Sequence, residues 1–300
     1  MIKSLSRIAA ACVLAGVSGS SMAGPVILGG DDLTDHGSRS GGANLEGWLY
    51  IEKAVSNVLS GVTRAGTITT DIVALGSADN PAFNGGNAGG AIGSAANVLG
   101  KSVTFVDSAA NITQFFADLA AGTINPKMLW IAGTGAVNDL NAAEGGALTA
   151  NAAAINAFGA SGGGIMSHGS GVNAYGWLSA LLPGLVATGG CESTGATLTA
   201  AGNAAFPGLT NNDVNNLAGP CHSSFSGDFG GLTTLAFDGI GRSYIIGGGA
   251  GTVIQCGRDG QPPCDNTVPE PSSLLLIGIA GLGLAAQMRR RQSKPGKTVV

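Results

Sequence analysis

The sequence predicts an α/β protein built on a doubly wound, mainly parallel sheet, and three observations lead to this prediction. Short apolar runs such as 26–28 alternate with longer segments of helical spacing, which is the order expected for parallel strands joined by crossover helices. Glycine-rich turns follow several of these runs. The chain of 300 residues is 44% hydrophobic and 11% charged, so it has enough apolar side chains for a packed core.

The predicted elements follow one another in the order of such a fold. Apolar residues at near-helical spacing over 45–59, ended by Gly61, indicate a helix. An alanine-rich stretch indicates another helix over 142–158. A third helix is predicted over 112–119, and strands are predicted over 26–28, 71–75, 103–106, 128–132, 164–167 and 244–246.

The N-terminus has the pattern of a secretory signal peptide. Lys3 and Arg7 precede a short apolar stretch, and Ser21 and Ala23 place small residues where a signal peptidase reads them. The apolar stretch is too short to span a membrane. The sequence therefore predicts a signal peptide over 1–23 and one α/β domain over 24–265.

The C-terminal segment 266–300 has three parts in a fixed order. Val268, Pro269, Glu270 and Pro271 come first, and the prolines prevent a helix there. The next 17 residues, 272–288, carry no charge, and as a helix they measure about 25 Å, enough to cross a thin bilayer core. A cluster of cations then follows, Arg289, Arg290 and Arg291. By the positive-inside rule these arginines stay in the cytoplasm and the domain before them is exported.

This C-terminal pattern resembles the PEP-CTERM sorting signal over about 24 residues. The resemblance implies a Gram-negative bacterium and processing near Pro-Glu-Pro by an exosortase-type membrane transpeptidase. It also implies transient anchoring in the inner membrane, followed by release to the cell surface or an exopolysaccharide matrix. The tail 292–300 departs from the pattern, because such chains usually stop at the arginines.

Charge and cysteine usage agree with export. Residues 24–271 hold seven Lys and Arg against 18 Asp and Glu, a net charge of −11, which opposes binding to nucleic acid. Once the signal peptide is removed, four cysteines remain in an oxidising compartment. The pairs Cys191–Cys221 and Cys256–Cys264 are favoured because each closes a local loop. A zinc site is disfavoured because no CxxC pair exists.

The stretch INAFGASGGGIMSHGSG over 155–171 resembles the centre of class I glutamine amidotransferase-like and related flavodoxin-like domains, and FPGLT followed by CHSSFSGDFGGL resembles their later part. The resemblance implies a functional group at the turn after strand 164–167. Ser167 is the candidate nucleophile there, with His168, His222 or His36 as base. The family has Cys at the position of Ser167, and its downstream His-x-Glu pair has no clear counterpart here.

The stretch GGDDLTDHG offers a candidate metal site at the end of the first strand. Asp31, Asp32 and Asp35 provide oxygens suited to Ca²⁺, and His36 suits Zn²⁺. The spacing is not that of an EF-hand, and such residues more often cap a helix or hydrogen-bond their own loop. No other cofactor is predicted, because the chain has neither a dinucleotide fingerprint after its first strand nor a P-loop lysine.

Three functions remain open at this point. The favoured one is a non-enzymatic, exported protein associated with the cell envelope or with exopolysaccharide in a biofilm or floc. The second is a divergent hydrolase or amidotransferase-like enzyme that uses Ser167 and a histidine. The third is an adhesin stabilised by Ca²⁺ at Asp31, Asp32 and Asp35. Trp48, Trp130 and Trp177 can serve either as a sugar-stacking platform or as core residues.

Overall fold

The structure is a computed structural model that describes residues 24–83, 85–133, 139–169, 175–215 and 220–249. The predicted signal peptide, Cys256 and Cys264, and the predicted sorting segment with its membrane helix lie outside these ranges.

Twelve strands and eight helices are formed by the described residues. The strands are β1 Val26–Gly29, β2 Gly37–Ser40, β3 Ala43–Glu46, β4 Thr70–Leu75, β5 Val103–Val106, β6 Pro126–Ile131, β7 Gly164–Ser167, β8 Leu185–Gly189, β9 Thr197–Leu198, β10 Ser223–Gly227, β11 Thr233–Phe237 and β12 Ser243–Gly248. The helices are α1 Gly47–Gly61, α2 Ala88–Leu99, α3 Ala109–Ala121, α4 Ala142–Ala150, α5 Ala152–Ala160, α6 Leu178–Leu181, α7 Ala200–Ala205 and α8 Asn211–Asn215.

The main sheet has the order β5-β4-β6-β7-β1-β12-β10-β8, and β11 and β9 are attached beside β12. Strands β5, β4, β6, β7 and β1 pair in parallel, whereas β12, β10 and β8 continue the sheet antiparallel. The mixed α/β class with a mostly parallel central sheet is thus confirmed and fits the flavodoxin-like prediction. Numbered along the chain, the parallel strands have the order 3-2-4-5-1. This differs from the 2-1-3-4-5 order of flavodoxin, because the N-terminal strand β1 occupies the fifth place.

The core explains why these apolar runs become strands. Val26, Ile27 and Leu28 of β1 are at most 1% exposed, and the last four residues of both β4 and β6 are buried. Strands buried on both faces read as continuous apolar runs rather than alternating ones. The helices cover them in two groups: α1 packs against α2, α7 and α8, while α3 packs against α4 and α5 against α6.

The three predicted helices differ from the observed ones in their bounds, and the one predicted over 112–119 is the longer α3. The helix predicted over 142–158 is two helices, because Asn151 leaves the helical conformation and its side chain donates to the Ala147 carbonyl at 2.9 Å. The helix predicted over 45–59 begins later, at Gly47, because Leu45 belongs to the β2–β3 hairpin. Helix α2, with three glycines, and the antiparallel strands β8 to β11 were not predicted.

A disulfide joins the antiparallel part of the sheet to the region beside β1. Cys191 and Cys221 are bonded, with their Cα atoms 5.6 Å apart, which confirms the first predicted pair. Cys191 lies just after β8 and Cys221 just before β10. Cys221 also forms an isolated antiparallel bridge with Asp31, which follows β1. The second predicted pair lies outside the described residues.

Candidate functional site

The predicted polar residues meet where β1 and β7 end, at the carboxyl edge of the parallel strands. The segment after β1 is held from both sides: the Gly169 N–H donates to the Asp31 carbonyl at 3.0 Å, and the His222 N–H donates to the Gly30 carbonyl at 2.8 Å. An added Cβ at Gly30 would lie 2.0 Å from the Ser223 carbonyl oxygen, so this close approach requires glycine. Ligands of open α/β sheets bind at this edge.

Asp31 and His168 form a closed group with Trp130. The Asp31 Oδ1 and His168 Nδ1 atoms are 2.7 Å apart, and neither side chain has any exposed surface. The Trp130 indole N–H donates to His168 Nε2 at 3.1 Å. Asp31 Oδ1 also accepts the Leu33 backbone N–H at 3.1 Å. A buried carboxylate with these partners is an internal link between β1, β6 and β7.

These contacts fix the proton positions on His168. An indole N–H can only donate, so Nε2 of His168 is the acceptor and carries no proton. Nδ1 must then carry the proton and donate it to Asp31. Both ring nitrogens are therefore occupied, and His168 cannot take a proton from Ser167 without giving up one of these bonds.

Ser167 does not form the nucleophile–base pair that sequence reasoning proposed. Its side chain is 1% exposed, and its Oγ has no hydrogen-bond partner among the described residues. The other two candidate bases, His222 and His36, direct their Nε2 atoms to Asp32, at 2.7 Å and 3.3 Å. The structure thus brings the three predicted catalytic residues to one edge of the sheet without pairing Ser167 with an imidazole.

Asp32, His36 and His222 form a second, open group beside the closed one. Asp32 Oδ2 is 2.7 Å from His222 Nε2, and Asp32 Oδ1 is 3.3 Å from His36 Nε2. The His222 side chain is 41% exposed. Hydrogen bonding to Asp32 raises the pKa of both imidazoles above its usual value. For Asp32, burial opposes the charged form, yet its contacts with His222 and His36 leave a net lowered pKa.

Asp35 lies next to this open group with a pKa shifted in the opposite direction. Burial, followed by the charges of Asp139 and Asp32, raises the pKa of Asp35 to about 7. Its Oδ1 is buried and has no hydrogen-bond partner among the described residues. Asp32 and Asp35 are therefore neighbouring carboxyl groups with opposite protonation tendencies, a feature often found at functional sites.

The four predicted metal ligands are divided between the two groups. Asp31 is directed to His168, whereas Asp32 is directed to His36 and His222. Within the described ranges, no set of three or more His, Cys, Asp or Glu side chains is arranged to hold a metal ion. Calcium at Asp31, Asp32, Asp35 and His36 stays a prediction.

Two contributions to this edge were missed in the sequence. His222 was considered only as a base for Ser167, although its partner is Asp32, and Trp130 was considered only as a core or sugar-stacking residue. No spacing pattern links residues so far apart in the chain. The three tryptophans are at most 1% exposed, so in this structure they are core residues and do not form a stacking platform.

Comparison with known proteins identifies one segment. Residues 267–291 match the PEP-CTERM protein-sorting motif, which supports a PEP-CTERM protein, exported and associated with the membrane. Such signals are processed by exosortase, a membrane enzyme. No curated protein and no solved structure matches the chain, so the resemblance of the central domain to glutamine amidotransferases is not confirmed. Among the residues that the structure describes, no helix is long and apolar enough to cross a membrane.

Proposed function

We propose that this protein is a non-enzymatic component of the cell envelope or exopolysaccharide matrix, delivered by exosortase-dependent sorting. The observation that carries the proposal is the sorting motif at 267–291, which ends in Arg289, Arg290 and Arg291. In this proposal the helix 272–288 holds the chain in the inner membrane until processing near Pro269–Pro271. The domain is then released to the cell surface or matrix.

The carboxyl edge of the sheet supports a role in binding rather than turnover. His168 has both ring nitrogens occupied, and Ser167 has no hydrogen-bonded base among the residues that the structure describes. The open group, in contrast, presents a half-exposed imidazole and a carboxylate pair. These groups donate and accept hydrogen bonds, as sugar hydroxyls require. We therefore place polysaccharide contact at Asp32, His222 and Asp35.

Replacement of the three arginines tests the sorting part of the proposal. Arg289→Gln, Arg290→Gln and Arg291→Gln together should impair retention and processing at the membrane, because the positive charges hold that end in the cytoplasm. The matched control is Lys294→Gln with Lys297→Gln, which removes charge just beyond the motif. Immunoblots of membrane and extracellular fractions provide the measurement. Unchanged processing of the arginine variant would contradict the proposal.

Polysaccharide contact is tested separately, with sorting left intact. Asp32→Asn combined with His222→Gln should lower the share of processed protein that co-purifies with the matrix. Asp79→Asn, an exposed change in another loop of the chain, is the control. Equal matrix association of the parent protein, the double variant and the Asp79→Asn control would remove the open group from the proposal. The proposed sorting route would be unaffected.

A divergent hydrolase or amidotransferase-like enzyme remains the second candidate. The observation that favours it is the pKa of Asp35 near 7 beside Asp32 and two imidazoles, which suits acid–base chemistry at neutral pH. Turnover of glycoside or amide substrates that is lost in Asp35→Asn, and kept in Asp79→Asn, would favour this enzyme. Loss in Ser167→Ala alone would favour the serine route of the sequence-based prediction.

A further inference from the structure

A second candidate site lies at the opposite edge of the parallel sheet, far from the Asp–His groups. Arg64 follows α1, Asn125 precedes β6 and Ser161 precedes β7, so these residues gather where the parallel strands begin. Beside them, between α3 and α5, is a cavity of about 220 Å³. Phe116, Leu119 and Phe158 line it together with three alanines, and Arg64 is the one charged residue among the described residues that line it.

The Arg64 guanidinium is held in a fixed position at this cavity. Its Nε donates to Asn125 Oδ1 at 2.6 Å, and its Nη1 donates to the Ser161 hydroxyl. Its central carbon lies 4.6 Å from the centre of the Phe158 ring, in the geometry of a cation–π contact. A guanidinium has five N–H donors, and these two side-chain partners use only part of them. The remaining donors are oriented by the same rigid plane.

The charge of Arg64 is not matched by an acid. Within the described ranges, Lys53, Lys127 and Arg242 each form an ion pair with a carboxylate, and Arg64 forms none. Its hydrogen-bond partners, an amide and a hydroxyl, are neutral. Burial lowers the pKa of Arg64, which is the direction expected for a cation that has lost water without gaining an anion.

These observations define the chemistry of a ligand. The aromatic and aliphatic walls favour an apolar body, while a positioned guanidinium favours a carboxylate, which it can bind with two parallel hydrogen bonds. The cavity is smaller than the roughly 300–1,000 Å³ of drug-sized sites, so the ligand must be small. We propose that the cavity beside Arg64 binds a short alkyl or aryl carboxylate.

Ligand titration of the full chain in phosphatidylcholine nanodiscs tests this proposal, with empty nanodiscs correcting for partition into lipid. Hexanoate is the probe, and saturation-transfer NMR measures its binding. A ligand of this size should bind with Kd on the order of 1 mM. Acetate has the charge without the apolar body, and hexylammonium has the body with the opposite charge. Both should bind at least about tenfold more weakly.

Two variants separate the charge from the cavity. Arg64→Gln should weaken hexanoate binding at least about tenfold, because it removes the charge-assisted hydrogen bonds. Ala157→Leu should also weaken hexanoate binding, because the larger side chain fills the cavity. Position 157 is exposed, so the change leaves Arg64 in place. Arg39→Gln is the matched control: Arg39 also donates to an asparagine and lies 4.7 Å over a phenylalanine ring, but does not line this cavity.

The outcomes decide the proposal in either direction. Hexanoate binding that is retained in Arg39→Gln and weakened in Arg64→Gln would support the proposal. A loss of hexanoate binding in Ala157→Leu would place the ligand in the cavity. The absence of binding below about 10 mM would overturn it. Equal binding of hexylammonium, or equal weakening by Arg39→Gln and Arg64→Gln, would overturn it as well. Thermal unfolding of each variant identifies any loss of fold, and the comparison of ligands on the parent chain is independent of every variant.

Discussion

Asp31 and Asp32 are consecutive in the chain, and each contacts a histidine at 2.7 Å, yet they belong to different environments. Asp31 and His168 are fully buried, and Trp130 occupies the far side of the imidazole. Asp32 is mostly buried, but one of its two histidines, His222, is 41% exposed. The same pair of residue types is therefore an internal link in one case and an accessible group in the other. The surroundings, and not the residue types, separate structural pairs from candidate functional ones.

The largest expected effect comes from breaking the closed group. His168→Ala should lower the free energy of unfolding by about 3–5 kcal/mol, because it leaves a buried charge without its partner. It also leaves the Trp130 N–H without an acceptor. Chemical denaturation measures the loss. His222→Ala, the matched change in the open group, should cost no more than about 1 kcal/mol, and equal losses for the two variants would contradict the comparison.

The disulfide comes next, because it holds the segment that carries His222. Cys191→Ser with Cys221→Ser opens a loop with a sequence separation of 30 and should cost about 3 kcal/mol of unfolding free energy. In NMR spectra of this variant, the His222 ring signals should shift while those of His168 stay in place. An unchanged denaturation midpoint, or a shift confined to His168, would show that the disulfide does not support the open group.

Asp35 gives a smaller effect that depends on pH. Its pKa is raised in the folded protein from 3.8 to about 7, so the folded state binds this proton more tightly than the unfolded state does. The resulting stabilisation is complete below pH 3.8 and is lost as the pH rises through about 7. At pH 8 the free energy of unfolding of Asp35→Asn should therefore exceed that of the parent protein by about 1 kcal/mol, after allowance for solvent screening. This difference in stability should vanish near pH 4.

Denaturation of Asp35→Asn at both pH values, beside the exposed control Asp79→Asn, provides the measurement. A difference in unfolding free energy that does not change with pH would mean that the pKa of Asp35 is not raised in the folded protein. The open group would then lack the pair of unlike carboxyl groups that sets it apart from the closed one.

The smallest expected change in stability is that of Asp32→Asn, about 1 kcal/mol or less. Its informative readout is the titration of the histidines. Hydrogen bonding to Asp32 is the main cause that raises the pKa of His222 and of His36, so both values should fall toward 6.5. The stability from each pair is present below pH 6.5 and is lost as the pH rises through the folded-state pKa. NMR titration that leaves both values unchanged would contradict the assigned pairing.

Local residue patterns predicted much of the central sheet, and the misses have physical causes. The strand predicted over 164–167 is observed as β7, because a buried parallel strand is a short apolar run bounded by turn residues. The strand predicted over 103–106 is also observed at the same residues, as the edge strand β5, although only Val106 in it is buried. Helix α2 was missed because its three glycines oppose a helix in isolation. Burial against α1 overrides that propensity. Strands β8 and β10 were missed because short runs such as Leu185–Gly189 lack strict alternation and depend on their partners.

In the candidate site, too, some features were predictable from local residue patterns and others were not. That Asp31, Asp32, Asp35, His36 and His168 gather near one edge follows from their positions after the predicted strands 26–28 and 164–167, since parallel strands end together. The position of His222 does not follow in this way, because it precedes β10, which was not predicted. Which histidine meets which aspartate was not predictable from spacing. His168 and Asp31 are 137 residues apart in sequence, and no local rule links them. Ser167, chosen because it ends a strand, is buried, and no base within the described part of the chain is hydrogen-bonded to it.

The sequence by itself determined the class of fold, the sorting motif and the excess of negative charge, whereas it only favoured the Cys191–Cys221 pair among three possible pairings. These depend on the order of residues along the chain, which composition and periodicity report directly. Only the tertiary structure decided that Asp31 belongs to the closed group and Asp32 to the open group, and that Trp130 fixes the proton on His168. It alone also decided that Arg64 lines an apolar cavity and has no acidic partner among the described residues. Burial and long-range contact set the dielectric environment and hydrogen-bond partners of each group, and they exist only once distant segments pack together.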